Sequence, residues 1–349
     1  MRSALTLARR GWGRTAPNPM VGAVVVRDGQ IVGRGYHAAF GEPHAEVTAL
    51  REAGALAQGA TLVVTLEPCN HHGKTPPCVD AILAAGIAEV LYAVEDPTPV
   101  AGGGAARLQA SGVRVSVGVE RAAAAELNAP FFFAAQDSSR PFITLKLAIS
   151  LDGALTDATR SSGWLTGELA RREVHRLRTN ADAIAVGSGT ALADDPQLTV
   201  RSGRRPRIAP LRVVFDRRAQ LPLTSQLVRT ARKLPTLLAT AEPPPAAAAA
   251  LEAKGVQLLP ATSLSAHLAQ LRARGVRHLF AEGGAGLAGA LLGLGAVDRL
   301  VIFQAPVVLG QGALGAFSAA PPATVDAVRR WRVVEDRWLN DDRLLVLAP

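Results

Sequence analysis

The chain has 349 residues, of which 48% are hydrophobic, and a formal net charge of +9. That length suits two domains, and the apolar content is too high for wholesale disorder. The charge sits mostly on arginines scattered among Ala and Gly with only 4% aromatics, which argues against nucleic-acid binding, and no stretch is apolar for long enough to span a bilayer.

Met1 to Arg10 lacks the continuous apolar core of a signal peptide and reads as a short helix, so a cytoplasmic enzyme is expected. Ala23 to Val26 and Ile31 to Tyr36 flank Asp28-Gly29, a hairpin signal. His44 to Ala57 has helical spacing, with Val47, Leu50, Ala53 and Ala57 on one face and His44 and Glu46 in the first turn. Thr61 to Leu66 reads as a buried strand running into a Pro-Cys loop, and Cys78 opens a helix behind Pro76-Pro77. Strands are expected at Glu89 to Val94 and Val113 to Val117, with a helix around Ala105 to Ala110. This alternation implies helices layered on a mixed sheet.

The chemistry concentrates in His44-Ala45-Glu46 and the run from Glu67 to Cys78, which holds both cysteines of the chain. Two such cysteines favour a metal or catalysis over a disulfide framework. One imidazole, two thiols and a spare carboxylate are the inventory of a catalytic zinc site, with His44, Cys69 and Cys78 as ligands. Zinc on three protein ligands keeps a fourth position for water and lowers that water's pKa. Glu46 would carry protons, as in zinc-dependent nucleobase deaminases. Such a site has no vacancy for His71 or His72, which read as shaping the loop. Two other readings stay open. A nucleic-acid deaminase with an unrelated C-terminal half is disfavoured by the long insert between the thiols and the lack of aromatic runs. A structural zinc module would need His71 or His72 as a fourth ligand and would show no turnover.

Gln136 to Arg140 is a polar connector, placing the domains at 1–139 and 140–349. Beyond it, strands are expected at Pro141 to Ile149, Asp182 to Gly187, Leu211 to Phe215, Pro235 to Leu238, Val276 to Ala281 and Leu300 to Phe303. Glu168 to Thr179 reads as an Arg-rich amphipathic helix, and Ala246 to Ala253 as a surface helix. Glu282-Gly283-Gly284-Ala285-Gly286 lies between a strand and the helix Leu287 to Leu294, where backbone can approach a phosphate. It is not a G-x-G-x-x-G fingerprint.

Pro17-Asn18-Pro19, Val21-Gly22, Gly41 to Glu46, Thr65 to Cys78, Leu145 to Leu147, Ser150 to Gly153, Leu192 to Pro196 and Glu282 to Gly284 together resemble the bifunctional deaminase/reductase family of riboflavin biosynthesis. The resemblance covers essentially the whole chain. It implies an α/β chain with an N-terminal cytidine-deaminase-like layered domain holding zinc and a C-terminal dihydrofolate-reductase-like domain using NADPH. The implied substrate is a small phosphorylated pyrimidine, with no nucleic-acid or membrane partner, in a homo-oligomer. By the same resemblance Asn18, His37 and Lys74 hold the pyrimidine and ribose phosphate, and Asp96 sits in the corresponding loop. Ala148, Trp164, Thr190, Asp194, Arg217, Gly284, Ala285, Gly286, Leu287, Ala288, Gly289 and Ala290 match cofactor positions. Ser162, Arg178, Gln197, Leu198, Arg201 and Glu282 match substrate positions, the two arginines suiting a bidentate grip on a 5′-phosphate. Arg217 stands where the family often has Ser, and fits either the 2′-phosphate of NADPH or a solvated surface charge. Thr98 replaces the usual Asn, and Gly103 a basic residue. Asp194, Glu282 and Lys146 are all candidates for the proton donor in ribose ring opening.

Overall fold

A computed structural model describes the chain except for residues 74–75, 137, 161–162, 325, 327 and 329. The chain divides into units Met1–Ser138 and Ser139–Pro349.

In the first unit α1 (Arg2–Ala8) precedes the hairpin β1 (Gly22–Arg27) and β2 (Gln30–Tyr36), then α2 (Ala45–Ala53) and β3 (Thr61–Val64). There follow α3 (Cys78–Ala84), β4 (Glu89–Tyr92), α4 (Gly104–Ala110), β5 (Arg114–Val117), α5 (Arg121–Leu127) and α6 (Ala129–Ala135). The sheet order is β2-β1-β3-β4-β5. The first three strands are antiparallel, and β3, β4 and β5 run parallel. The hairpin turns where it was expected, with Asp28 and Gly29 both at positive φ and Arg27 paired with Gln30. Leu62, Val64 and Val90 of the sheet meet Ile82 of α3 and Leu108 of α4 in the core.

Two glycines decide how closely α2 lies on the sheet. A Cβ on Gly35 would stand 2.1 Å from the Ala45 carbonyl oxygen, and one on Gly33 2.2 Å from that of Ala49. Helix α2 is shorter than the spacing predicts: Gly54, at φ 53°, ends it, and Gly54–Ala57 continue as a 3-10 turn. The sequence reading also missed α5 and α6. Between them Asn128, buried, accepts from Met20 N at 2.8 Å and donates to Met20 O at 2.9 Å, clasping these helices to the segment after Asn18.

The second unit contains β6 (Phe142–Ile149), β7 (Ala154–Thr156), α7 (Glu168–Arg178), β8 (Ala183–Gly187), α8 (Ser188–Asp194), β9 (Leu211–Phe215), α9 (Gln226–Arg229) and β10 (Thr236–Thr240). It continues through α10 (Pro245–Ala253), β11 (Gln257–Pro260), α11 (Leu264–Ala273), β12 (His278–Glu282), α12 (Ala285–Gly293), β13 (Arg299–Gln304), β14 (Leu314–Gly315), β15 (Arg332–Leu339) and β16 (Asp342–Ala348). Nine strands form one sheet, ordered β11-β10-β9-β8-β12-β6-β13-β16-β15. The first seven in that order are mutually parallel, and β16 and β15 add an antiparallel hairpin. Its central strands are buried on both faces, which is why they read as continuous apolar runs. The chain starts at β6, steps outward through β8 to β11, then returns to insert β12 between β8 and β6. Ligands of open α/β sheets collect outside the carboxyl ends of strands at such a reversal. Among the described residues no helix is long and apolar enough to cross a membrane.

Candidate active sites

In the first unit three chain segments deliver zinc-type donors to one place. Cys69 follows β3, Cys78 is the first residue of α3, and His44 is the extended N-cap of α2. One donor atom from each lies within 4.8 Å of the others. His44 Nδ1 is 3.2 Å from Cys78 Sγ and 3.5 Å from Cys69 Sγ. A hydrogen bond from the Cys78 thiol, working against burial and helped by His44, holds Cys69 down to about 4. The same bond, with burial, pushes Cys78 well above the ordinary thiol range. One proton shared by two buried sulfurs beside an imidazole is a donor set that zinc fits, displacing that proton. Among the described residues neither His71 nor His72 belongs to the cluster.

Glu46 lies in the first turn of α2, buried, and burial pushes its carboxyl up. His37 packs edge-on to His44, ring centroids 5.3 Å apart. Its Nδ1 is 3.3 Å from the Pro43 carbonyl, which can only accept, so Nε2 is the acceptor for the Asn18 side-chain amide at 3.4 Å. Burial lowers the His37 pKa and keeps the ring neutral. Asp96 Oδ1 accepts from Thr98 N at 2.8 Å and Thr98 Oγ1 at 2.5 Å. Lys74 lies outside the described residues, as does Ser162.

In the second unit a cavity of about 1840 Å³ opens at the carboxyl ends of the parallel strands. Of the residues matched to the cofactor, Ala148, Trp164, Thr190, Asp194, Arg217, Gly284, Ala285, Gly286, Leu287 and Ala290 line it; of those matched to the substrate, Arg178, Gln197, Leu198, Arg201 and Glu282 do. Ala288 and Gly289 do not. Ala288 is buried in the core, and a Cβ on Gly289 would meet the Ala319 carbonyl oxygen at 2.1 Å, so this part of α12 faces inward. Gly284 caps α12 without a side chain, and a Cβ there would press on Thr190 Oγ1 at 2.9 Å.

Arg178 is committed within the protein. Its Nε and Nη2 fork onto Glu282, Nη2 to Oε2 at 2.9 Å, and its Nη1 donates to Thr199 O at 2.8 Å. The fork of Arg178 expected to grip a phosphate is here turned onto Glu282, whereas Arg201 is exposed on the cavity wall. Burial pushes Glu282 up, but Arg178 and then Lys146 more than offset it and leave the carboxyl below its ordinary value. Lys146 lines the cavity, its Nζ 6.0 Å from the Phe303 ring centroid, and burial lowers its pKa. Burial raises Asp194 across the same cavity. Leu198 is buried with φ 51° and can offer a ligand only backbone.

Sequence reasoning missed three groups. Glu67 accepts from Asp96 N and Ala105 N at 3.2 and 3.0 Å. His175 lines the cavity and its Nδ1 accepts from Arg201 N at 3.3 Å. Arg212, on the apolar-looking β9, is fully buried and donates to Thr230 Oγ1 at 2.8 Å, Thr236 Oγ1 at 2.5 Å and Leu234 O at 2.7 Å; burial lowers its pKa to about 10.

Residues 1–94 match the family model described as the cytidine and deoxycytidylate deaminase zinc-binding region, and residues 141–337 match the RibD C-terminal domain. The riboflavin biosynthesis protein RibD of Aquifex aeolicus is 45% identical, covering 89% of this chain and 87% of that one. RibD of Escherichia coli K12 is 43% identical, covering 90% and 89%. The solved structure of Acinetobacter baumannii RibD superposes with a TM-score of 0.84 at 38% identity, covering 100% of this chain and 97% of that one. A diaminohydroxyphosphoribosylaminopyrimidine deaminase/5-amino-6-(5-phosphoribosylamino)uracil reductase from Thermotoga maritima gives a TM-score of 0.85 at 35% identity, with 100% and 97% covered. A zinc-type donor cluster in a deaminase-like unit, joined to a reductase unit of this kind along nearly the full length of such relatives, places the chain in the RibD family, the bifunctional deaminase–reductases of riboflavin biosynthesis.

Proposed function

We propose that residues 1–139 hydrolytically deaminate 2,5-diamino-6-ribosylamino-4(3H)-pyrimidinone 5′-phosphate and that residues 140–349 reduce the ribosyl group of the product to ribityl, giving 5-amino-6-(5-phosphoribitylamino)uracil. The observation that carries this reading is the convergence of His44, Cys69 and Cys78 beside the buried Glu46, in a chain whose other unit opens a large cavity. His44, Cys69 and Cys78 would hold zinc, and the cavity would hold NADPH. When bound, zinc acidifies a water for attack on the amino-bearing carbon, and NADPH supplies the hydride.

The protein's own groups do the rest. Glu46, whose carboxyl burial pushes up, takes a proton from the attacking water and gives it to the departing amine. Asn18, oriented by neutral His37, presents its amide oxygen to the pyrimidine, with Asp96 and Lys74 completing the grip. In the cavity the uncapped start of α12 at Gly284, with Thr190 beside it, would hold anionic oxygens of the cofactor. Ala148, Trp164 and Arg217 line the remaining cofactor contacts, and Gln197, Leu198 and Arg201 the substrate's. Of the three candidates for ring opening, Lys146 is favoured: among the described residues its ammonium has no hydrogen-bond or ion-pair partner, whereas Glu282 is tied to Arg178. A cytoplasmic homo-oligomer is the accompanying proposal.

A coupled assay on the full-length, zinc-loaded enzyme tests this. Glu46→Gln should retain zinc and abolish ammonia release while NADPH oxidation with the deaminated intermediate continues. Ammonia release surviving in that variant would end the assignment.

A further inference from the structure

Glu67 stands two residues before Cys69, and no step above uses it. It is 8% exposed. Oε2 accepts from the backbone N–H of Asp96 at 3.2 Å, and Oε1 from that of Ala105 at 3.0 Å. Its own backbone N–H donates to Val94 O at 2.9 Å, continuing the line of β3 towards the Pro68-Cys69 loop.

The second partner has a local cause. Helix α4 begins after Gly103, at φ 85°, and Gly103 has no side chain with which to cap it. An orphan N–H in the first turn of α4 therefore finds its acceptor 38 residues back in the chain. The close seat of this turn is fixed by Gly104, where a Cβ would stand 1.8 Å from the Pro68 carbonyl oxygen. The loop between the two tethers is further drawn in by Asn70 N, which donates to Ala101 O at 3.1 Å. Asp96 meanwhile uses Oδ1 on Thr98, and among the described residues its Oδ2 has no hydrogen-bond partner.

We propose that Glu67 is the positioning residue of the deaminase site: one buried carboxylate pins the Asp96 loop and the start of α4 to the strand end that carries Cys69, and so sets where Asp96 meets the substrate. This rests on the reading of Asp96 as a substrate contact. Two charge-assisted hydrogen bonds from one carboxylate suit this task, because each is stronger than a neutral pair. Glutamine fills the same space but has one acceptor oxygen. Its amide NH2 must face either the Asp96 or the Ala105 N–H, donor against donor, so one tether is lost while the volume is kept.

The test uses the full-length zinc-loaded enzyme and three variants, Glu67→Gln, Asp96→Asn and the double. Zinc content, deaminase kcat and KM, and NADPH oxidation on the deaminated intermediate are measured for each. Glu67→Gln should keep one zinc per chain and an unchanged reductase rate, while the deaminase KM rises about tenfold and kcat stays within about twofold. The double variant should be no worse than Asp96→Asn, because both changes act on one contact. A Glu67→Gln variant that loses zinc, or loses kcat and KM in the proportion that a general loss of folded protein gives, overturns the proposal, as does an unchanged KM. If Asp96→Asn alone leaves KM unchanged, the Asp96 reading fails. A raised KM in Glu67→Gln then still supports tethering of the loop, through another of its residues.

Discussion

Arg178 and Glu282 form a forked ion pair in the wall of the second unit's cavity, with side chains only 10% and 13% exposed. Bringing two charges out of water is expensive, and the pair holds because each charge is met by the other and the spare Nη1 by Thr199 O. Breaking it from one side leaves an uncompensated charge. Arg178→Met or Glu282→Leu alone should destabilise by ~3–5 kcal/mol, and the double variant should recover much of that loss. Chemical denaturation of the four proteins, followed by far-UV circular dichroism, gives the coupling directly.

The same pair sets a pH response. Net interaction with Arg178 holds Glu282 below its ordinary value of 4.5, so the stability it contributes is fully present above that value and is lost as pH falls through the folded-state value. Glu282→Gln has no such proton to gain. The gap in denaturation midpoint between wild type and Glu282→Gln should be widest at neutral pH and close as the pH is lowered below the ordinary carboxyl range. A gap that widens on acidification would contradict the depressed carboxyl.

Arg178 is engaged by Glu282, whereas Arg201 is exposed on the cavity wall, which makes it the proposed contact for the phosphate end of the reductase substrate. Arg201→Ala should leave the melting temperature within a degree or two and raise the reductase KM roughly ten- to hundredfold, the loss of a charged hydrogen-bond donor. Phosphate-free substrate should show little difference between Arg201→Ala and wild type. Steady-state kinetics with both substrates checks it.

Lys146 pairs function with a stability cost. Burial lowers its pKa from the ordinary 10.5, more than Glu282 and Asp194 raise it. A lysine depressed in the fold is unpenalised above its ordinary pKa, and the penalty builds as pH falls through that value and is complete below the folded one. At neutral pH the charge therefore opposes folding. Lys146→Met should raise stability by about 0.5–2 kcal/mol, as removal of a strained functional group commonly does. It should abolish NADPH oxidation and leave ammonia release intact. Calorimetry and the two assays report the three outcomes.

The zinc-type cluster was legible because its donors are rare residue types at fixed spacing, His44 before a helix and Cys78 behind Pro77. The central parallel strands were legible because burial on both faces writes a continuous apolar run, as in Ala183 to Val186. What stayed hidden depends on partners distant in the chain. Arg212 looks like any solvated arginine until Thr230, Thr236 and Leu234 close around it. Glu67 is part of a recognisable motif, but its role is set by amides 29 and 38 residues later. The Arg178–Glu282 pair was hidden for the same reason, since the two residues are 104 apart in the chain. The hairpin β15–β16 escaped because one strand is largely exposed and mixes charges with Val and Trp, which erases the period-2 signal.

Removal of the metal should expose the asymmetry of the two thiols. Without zinc, the Cys78 thiol donates to Cys69 and, with His44, holds Cys69 down to about 4, while Cys78 is pushed well up. Thiolate is the nucleophile, so at mildly acidic pH only Cys69 has the reactive form. Cys69 also has the slight exposure, 8% against none for Cys78. Protein stripped with a chelator should therefore be alkylated by iodoacetamide at Cys69 well ahead of Cys78, as mapped by peptide mass spectrometry. Zinc added back before the reagent should protect both, and it should raise the melting temperature, because an ion that binds only the folded cluster stabilises by mass action. The reductase rate on the deaminated intermediate should follow neither treatment. Equal labelling of the two cysteines in the stripped protein would show that the shared proton is not placed as the geometry has it.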